Sequence, residues 1–186
     1  IDILSTEDIL QKINEEDQSV AKVVEKCIPR ISNLVDKIVE RIRIGGRLFY
    51  IGAGTSGRLG ILDAAECPPT SGAENNLVIG VIAGGNDAMF VAQEGAEDSL
   101  ELPIVDLSSY HFCEKDVLIG LAASGRTPYV IGGLKFGQQV GALTAAISCV
   151  TNAEISKYAE YSIEAVTGAE VITGSTRMKA GTAQKL

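Results

Sequence analysis

The chain has 186 residues, of which 46% are hydrophobic, and it carries a formal net charge of −8. This length and apolar content are sufficient for one well-packed core. The acidic balance argues against a nucleic-acid partner, and no apolar run is long enough to span a membrane.

The apolar pattern predicts two helices before the first strand. Residues 5–8 resemble a helix cap, and over residues 19–43 apolar side chains recur every three or four positions. Pro29 is expected to kink or break the second helix, and two glycines end it. Residues 1–44 are therefore predicted to form N-terminal helices that pack on the following domain or on a partner chain.

Strand-like apolar segments then alternate with helical stretches. The strands are expected at residues 48–51, 77–82, 117–121, 143–148 and 161–165. A helix is expected between the third and fourth of them, over residues 128–140, with Pro128 in its first turn. Buried apolar strands that alternate with helices indicate an α/β fold with a parallel sheet covered on both faces.

The first strand leads directly into a glycine-rich turn, Gly52-Ala53-Gly54-Thr55-Ser56-Gly57, and then into a helical pattern. Such a turn offers backbone N–H groups and a helix N-terminus to an anion. The hydroxyls of Thr55 and Ser56 suit the oxygens of a phosphate monoester. Glu66 follows ten residues after Ser56. A phosphate cradle followed closely by a carboxylate suggests an enzyme that acts on a small phosphorylated molecule.

Two other interpretations of this turn stay open. Residues 52–57 formally fit the glycine pattern of dinucleotide-binding folds, which also requires an acidic residue about 20 positions further on. The second predicted strand ends instead in Ala83-Gly84-Gly85, which disfavours a nucleotide. The remaining alternative is a tight turn without a ligand.

Three loops combine glycine or hydroxyl groups with basic side chains close to predicted strand ends. They contain Gly57 with Arg58, residues 124–127, and residues 175–179. Because the chain is acidic overall, these loops would supply the local attraction that an anionic substrate needs.

The side chains that commonly bind metals are sparse. The cysteines are widely separated and include no CxxC pair, which is typical of reduced thiols rather than a disulfide frame or zinc site. His111 is the only histidine, so a histidine-based metal site or catalytic triad is not expected. No signal peptide begins the sequence, and we expect a cytoplasmic location.

Four stretches closely resemble the N-acetylmuramic acid 6-phosphate etherases, which belong to the SIS (sugar isomerase) family of phosphosugar-binding domains. The stretches are GRLFYIGAGTSGRLGILDAAECPPT, AGGNDAMFVAQEGAEDS, AASGRTPYVIGGL and TGAEVITGSTRMKAGTAQKL. The resemblance implies that residues 45–186 form a doubly wound sandwich around a central parallel sheet of about five strands. It also implies a cytoplasmic homodimer with sites near the interface, and a C-terminal helical region absent from this chain, which is expected to be truncated.

The implied reaction is a lyase-type cleavage of the D-lactyl ether of N-acetylmuramic acid 6-phosphate. Lactate is eliminated and water is then added, without a metal or organic cofactor, in the recycling of cell-wall amino sugar. Glu66 matches the family's proton donor, and Glu97 matches its second catalytic carboxylate. By residue type alone, Glu66 would be a solvated glutamate near a helix end, and Glu97 a first-turn glutamate that interacts with a helix dipole.

The resemblance also implies a set of substrate-binding residues. They are Gly54, Thr55, Ser56 and Gly57 in the first loop, Ser124, Gly125, Arg126 and Thr127 in the second, and Glu170, Ser175 and Thr176 near the third. The second loop departs from the common Ser-x-Ser-Gly-x-Thr pattern, because Ala122 replaces the first serine. Glu170 either contacts the sugar or braces its loop. Two other functions stay open: a phosphosugar isomerase, and a non-catalytic phosphosugar-binding regulatory protein.

The distance between the loop and the proton donor raises a difficulty. Ten helical residues from Ser56 to Glu66 span about 15 Å, which is longer than a hexose phosphate. Either the helix breaks early, near Gly60, or Glu66 serves a site that is shared with a second chain. We expect the shared site.

Overall fold

The computed structural model describes residues 1–186 and contains five strands. They are β1 (Leu48–Gly52), β2 (Val78–Ile82), β3 (Val117–Leu121), β4 (Leu143–Ser148) and β5 (Tyr161–Glu164). All neighbouring strands pair in parallel, and their order across the sheet is β2-β1-β3-β4-β5. The predicted strands and the parallel sheet are therefore confirmed.

Six α-helices accompany the sheet. They are α1 (Thr6–Asp17), α2 (Val20–Arg43), α3 (Gly54–Ser71), α4 (Leu102–Ser109), α5 (Pro128–Val140) and α6 (Lys179–Lys185). Three short 3-10 helices cover Asn86–Met89, Ala96–Asp98 and Glu154–Tyr158. The predicted cap of α1 is present, since the Ser5 hydroxyl accepts a hydrogen bond from the Asp8 N–H at 3.2 Å. None of these helices has the length and apolar content needed to cross a bilayer.

Helix α2 does not break at Pro29, which lies in its interior. Buried side chains lie on both sides of the proline: Val20 and Cys27 before it, and Leu34 after it. Their packing holds both halves of the helix against the same surface and outweighs the hydrogen bond that proline removes. Of the two effects expected of Pro29, the break was therefore wrong, because tertiary packing overrides local propensity here, and the kink stays a prediction.

The sheet separates two apolar cores. On one face Phe49 and Leu118 pack with Tyr129 and Leu134 of α5. On the other face Ile119 and its neighbours pack against α2 and α6. Complete burial of one such aliphatic or aromatic side chain stabilises the fold by about 1.5–3 kcal/mol. The sheet is thus covered on both faces, as the apolar strands predict.

The N-terminal helices differ in how they attach. Helix α1 buries no residue, whereas α2 shares the second core with β5 and α6. The α2 helix therefore packs on the sheet of its own chain, and the division of the chain at residue 44 stays a prediction.

The strand order identifies the edge of the sheet at which a ligand is expected. The chain passes from β1 to β2 on one side and then crosses to β3 on the other side of β1. In sheets of this order, ligands bind outside the carboxyl ends of the strands at the point where the direction reverses. Gly52 and Leu121 are paired at the ends of β1 and β3, so the loops after these strands leave the sheet at the same level.

Candidate functional site

The first loop places a helix N-terminus at this switch point. Helix α3 begins at Gly54, directly after the extended residue Ala53. The Gly57 N–H donates a bond of 3.2 Å to the Ala53 carbonyl. The N–H groups of Gly54, Thr55 and Ser56 precede this bond in the first turn, where no intrahelical acceptor exists for them. They are the backbone groups that can bind an anion.

Gly57 has a packing role in this turn. A Cβ atom at Gly57 would lie 2.7 Å from the Gly52 carbonyl oxygen and 2.7 Å from Cγ1 of Ile82. Only glycine allows the first turn of α3 to approach the end of β1 this closely. Because its N–H is already engaged, Gly57 shapes the loop and leaves anion binding to the three preceding residues.

The two hydroxyl residues of the first loop have different surroundings. Ser56 is buried, and its hydroxyl donates a 2.9 Å hydrogen bond to Oε1 of Gln184 in α6. Thr55 is partly exposed, and its hydroxyl has no hydrogen-bond partner in the chain. Sequence patterns gave no sign of the Ser56–Gln184 contact, since the two residues lie 128 positions apart.

The second loop follows β3 and leaves its polar groups free. Ser124 and Arg126 are exposed, and Thr127 lies directly before the first turn of α5. The Thr127 side chain makes no capping bond. Two predicted hydroxyls, one guanidinium and the N-terminus of α5 are therefore available beside the first loop, across the switch point.

Gly125 holds the second loop against the segment after β4. It is buried with φ of +68°, and a Cβ atom there would lie 2.6 Å from the Ala153 Cβ. Its carbonyl accepts a 2.9 Å bond from the Ile155 N–H. The position thus requires glycine for both conformation and space.

Glu164 binds the segment after β4 through its carboxylate. No sequence pattern indicated this role. Its carboxylate accepts bonds from the N–H groups of Asn152 and Ala153, both at 3.0 Å, and from the Ser156 hydroxyl at 2.8 Å. Burial disfavours the charged form, but these donors together hold the pKa of Glu164 below its usual value. Glu164 therefore stabilises the segment after β4 against which Gly125 of the second loop packs.

A cleft of about 150 Å³ opens beside the first loop, between the residues that follow β1 and β2. Gly54 and Arg58 of α3 line it together with Gln93, Glu94 and Glu97. Glu97 is exposed and lies in the 3-10 helix Ala96–Asp98, ahead of α4. The structure therefore brings Gly54, the first residue of the predicted anion-binding turn, and one predicted catalytic carboxylate into one cavity. Glu94 was not singled out from the sequence.

Glu66 lies elsewhere. Helix α3 continues without a break from Gly54 to Ser71, so an early end near Gly60 was a wrong alternative. Glu66 lies twelve positions after Gly54 along the helix, a rise of about 18 Å. Glu66 is exposed and does not line the cleft.

Glu170 braces the third loop. Its two carboxylate oxygens accept bonds from the N–H groups of Lys179 and Ala180, both at 3.0 Å, at the start of α6. The buried Lys179 ammonium is paired with Glu16 of α1. The loop-bracing role left open by the sequence is thus observed, and contact with a sugar stays a prediction.

The remaining polar side chains of the third loop are unpaired. The side chains of Ser175, Thr176 and Arg177 make no hydrogen bonds, and Thr176 and Arg177 are exposed. Arg58 differs from the two other loop arginines, because its guanidinium is bonded to main-chain carbonyls. Arg126 and Arg177 are therefore the free cations of the three loops.

The carboxylates, thiols and imidazole do not form a metal site. No group of three or more His, Cys, Asp or Glu side chains is arranged so that it could hold a metal ion.

The family of the chain follows from its sequence together with this geometry. Residues 30–138 match the model of the glucokinase regulatory protein N-terminal SIS domain. The chain belongs to this family. Strands β1, β2 and β3, the switch point and the first two loops lie within the matched residues, and β4 and β5 follow them.

The SIS domain has close curated relatives that are named N-acetylmuramic acid 6-phosphate etherase. A protein of Clostridium botulinum (strain Eklund 17B / Type B) is 61% identical over all 186 residues, and one of Geobacillus sp. (strain WCH70) is 58% identical. The chain spans 62% and 63% of the length of these two relatives, respectively.

Solved structures with the same fold are more distant in sequence. A protein of E. coli CFT073 has a TM-score of 0.68 at 16% identity, covering 98% of this chain and 86% of that chain. A Methanococcus jannaschii protein, whose structure infers 3-hexulose-6-phosphate isomerase function, has a TM-score of 0.60 at 15% identity, covering 95% and 82%. These likenesses show the doubly wound SIS fold.

Proposed function

We propose that this SIS domain is the substrate-binding part of an N-acetylmuramic acid 6-phosphate etherase, a carbon–oxygen lyase. The observation that carries the proposal is the cleft in which the N-terminal turn of α3 and Glu97 meet. The names of the relatives supply the substrate, at 61% identity over the whole chain for the Clostridium botulinum protein. Residues 45–186 form the proposed domain, with residues 1–44 as its N-terminal helices.

The phosphate of the substrate would bind across the switch point between the first and second loops. The N–H groups of Gly54, Thr55 and Ser56 lie on one side, and the free hydroxyls of Ser124 and Thr127 lie on the other. Hydrogen bonds from these groups to a charged phosphate are stronger than bonds between neutral groups.

Side chains beyond these donors complete the proposed binding site. The guanidinium of Arg126 adds a positive charge that the acidic chain otherwise lacks here. Ser175 and Thr176 lie in the third loop, directly before α6, and α6 contacts α3 through the bond from Ser56 to Gln184.

Two carboxylates would divide the chemistry. Glu97 removes the proton from C2 of the open-chain aldehyde, and the electron pair forms a double bond between C2 and C3. The C3–O bond breaks, and the lactate oxygen takes a proton from Glu66. Water then adds at C3 and gives its proton to Glu66, while Glu97 returns its proton to C2, so that both carboxyl groups regain their starting states. The net change is ether plus water to N-acetylglucosamine 6-phosphate plus D-lactate, and no step requires a metal or an organic cofactor.

Glu66 would act in the site of a second copy of the chain. Its exposed position about 18 Å along α3 from Gly54 is too far for a hexose phosphate held at its own loop. Exposed apolar side chains on α2, including Val35 and Val39, offer a surface for a homodimer. As part of amino-sugar recycling, the proposed reaction would take place in the cytoplasm.

The test is to incubate a protein of the relatives' full length with N-acetylmuramic acid 6-phosphate and to assay D-lactate. Fructose 6-phosphate and glucosamine 6-phosphate are tested beside it as isomerase substrates. We expect D-lactate release that Glu97→Gln abolishes and Glu94→Gln, the matched change in the same cleft, retains. Isomerisation without D-lactate release would contradict the proposal.

A non-catalytic regulatory function is the second candidate, and the description of the matching family favours it. A regulator need only bind a phosphosugar, and its carboxylates need not react. The same experiment separates the two functions, because a regulator would bind the phosphosugar in calorimetry and release no D-lactate.

A further inference from the structure

Residues 84–98 join β2 to the region before α4 and carry Glu97 to the cleft. Ala88 is buried and Ala96 packs against the first core, but the segment makes few hydrogen bonds to the rest of the chain. Their main-chain N–H groups bond only to carbonyls three or four residues earlier in the chain, such as Val91 to Asp87 and Asp98 to Gly95. The side chain of Gln93 bonds within the segment, to the Val91 carbonyl. Because the segment makes so few hydrogen bonds to the rest of the protein, its position depends strongly on each of them.

Arg58 makes the hydrogen bonds that tie this segment to α3. Its Nε donates to the Met89 carbonyl at 3.0 Å, and its Nη2 donates to the Ala88 carbonyl at 2.6 Å. Residues 84–98 make no other hydrogen bond or ion pair with a distant part of the chain. The planar guanidinium suits two adjacent carbonyls, whereas a lysine ammonium is a single point charge.

Arg58 also belongs to the anion-binding end of α3. It lies four residues after Gly54, one helical turn further along. Both residues line the cleft that Glu97 lines. A single side chain therefore connects the helix whose first turn would hold the phosphate to the segment that carries the carboxylate.

We infer that Arg58 is a positioning residue, which clips residues 84–98 to α3 and thereby sets the distance between Glu97 and the bound phosphosugar. The inference rests on the proposed function and deepens it. The role assigned to Arg58 is to hold the segment rather than to bind the substrate, since its Nε and Nη2 donate to the protein's own carbonyls. Loss of the clip should misplace Glu97 while the phosphate donors of both loops stay in position.

This division predicts a specific kinetic effect. Arg58→Ala should lower kcat by about 100-fold, the scale of effect that a misplacement of about 1 Å can have. KM should change little, because the loops that bind the phosphate are intact. Arg58→Lys, whose ammonium can donate to one of the two carbonyls, should have a kcat between that of Arg58→Ala and that of the wild type. Arg41→Ala is the matched control, since Arg41 donates to the Glu114 carbonyl at 2.7 Å, away from the cleft, and should leave kcat unchanged.

Hydrogen exchange of the free protein tests the clip itself and does not depend on turnover. Faster exchange confined to residues 84–98 in Arg58→Ala, and partly restored in Arg58→Lys, is the expected result. If Arg58→Ala does not fold, Arg58→Lys alone decides by the same measurement. Unchanged exchange in that segment, or a rise in KM with unchanged kcat, would overturn the inference. Absence of D-lactate release by the wild-type protein would defeat the proposed function and leave the exchange result to decide the clip.

Discussion

Glu66 lies outside the cleft that Glu97 lines. The two carboxylates that the proposed elimination requires are therefore not adjacent within one chain. The unbroken helix α3 is the cause, since it carries Glu66 away from its own N-terminal turn at about 1.5 Å per residue. A second copy of the chain is the simplest source of the missing acid, and this relationship governs the final prediction below.

Ser124→Ala should weaken phosphosugar binding by about 1–2 kcal/mol, because a hydrogen bond to a charged group is lost. The Ser124 hydroxyl is exposed and has no partner in the chain, so no internal contact is disturbed. Calorimetric titration with the phosphosugar measures the effect. Ser108→Ala, on an exposed position of α4, is the control that should bind normally. Equal affinity of the two variants would remove Ser124 from the site.

Glu170→Gln should lower the free energy of unfolding by about 1–2 kcal/mol. The neutral amide has one acceptor oxygen for the two N–H groups of Lys179 and Ala180, and it loses the favourable charge at the start of α6. Chemical denaturation measures the change, with Glu74→Gln on an exposed position as the control. A variant of unchanged stability but weakened sugar binding would instead assign Glu170 to the substrate.

Glu164→Gln should destabilise the fold by about 1–3 kcal/mol at neutral pH, since Asn152, Ala153 and Ser156 all donate to the carboxylate. Because the pKa of Glu164 is lowered in the folded state despite burial, its ionised form contributes stability above the unfolded pKa of about 4.3. This contribution is lost as the pH falls through the lower, folded pKa.

The pH dependence of unfolding separates this effect from general acid sensitivity. The stability difference between wild type and Glu164→Gln should be constant above about pH 5 and shrink below it. Glu25→Gln, on the exposed side of α2, should show no such dependence. A difference that persists unchanged at low pH would mean that the amide, rather than the charge, disturbs the structure.

Local patterns were sufficient to predict most of the fold. The uninterrupted apolar run Val117–Leu121 predicted a buried strand, and all five residues of β3 are buried. Helix α5 begins at Pro128, the proline that predicts its start. Pro29 misled because its effect depends on packing at Cys27 and Leu34, which lies outside any local window. Propensity yields to tertiary contacts in such cases.

The candidate site was predictable to the extent that its signals are local. Glycine and hydroxyl patterns after β1 and β3 identified loops that meet at the switch point. Partners distant in sequence were not predictable: Ser56 bonds to Gln184, and Arg58 bonds to the carbonyls of Ala88 and Met89. Such contacts can be predicted only once the order of the strands in the sheet is known.

A complementation assay tests the shared site, the central claim, most directly. Glu66→Gln and the double variant Ser124→Ala/Thr127→Ala, each made in a protein of the relatives' full length, should both be inactive alone. After mixing and subunit exchange, one mixed-dimer site combines the intact loops of the first variant with Glu66 of the second. The account predicts that D-lactate release from N-acetylmuramic acid 6-phosphate then returns in part. No recovery, with subunit exchange confirmed by mass spectrometry, would contradict it and mean that each chain builds its site alone.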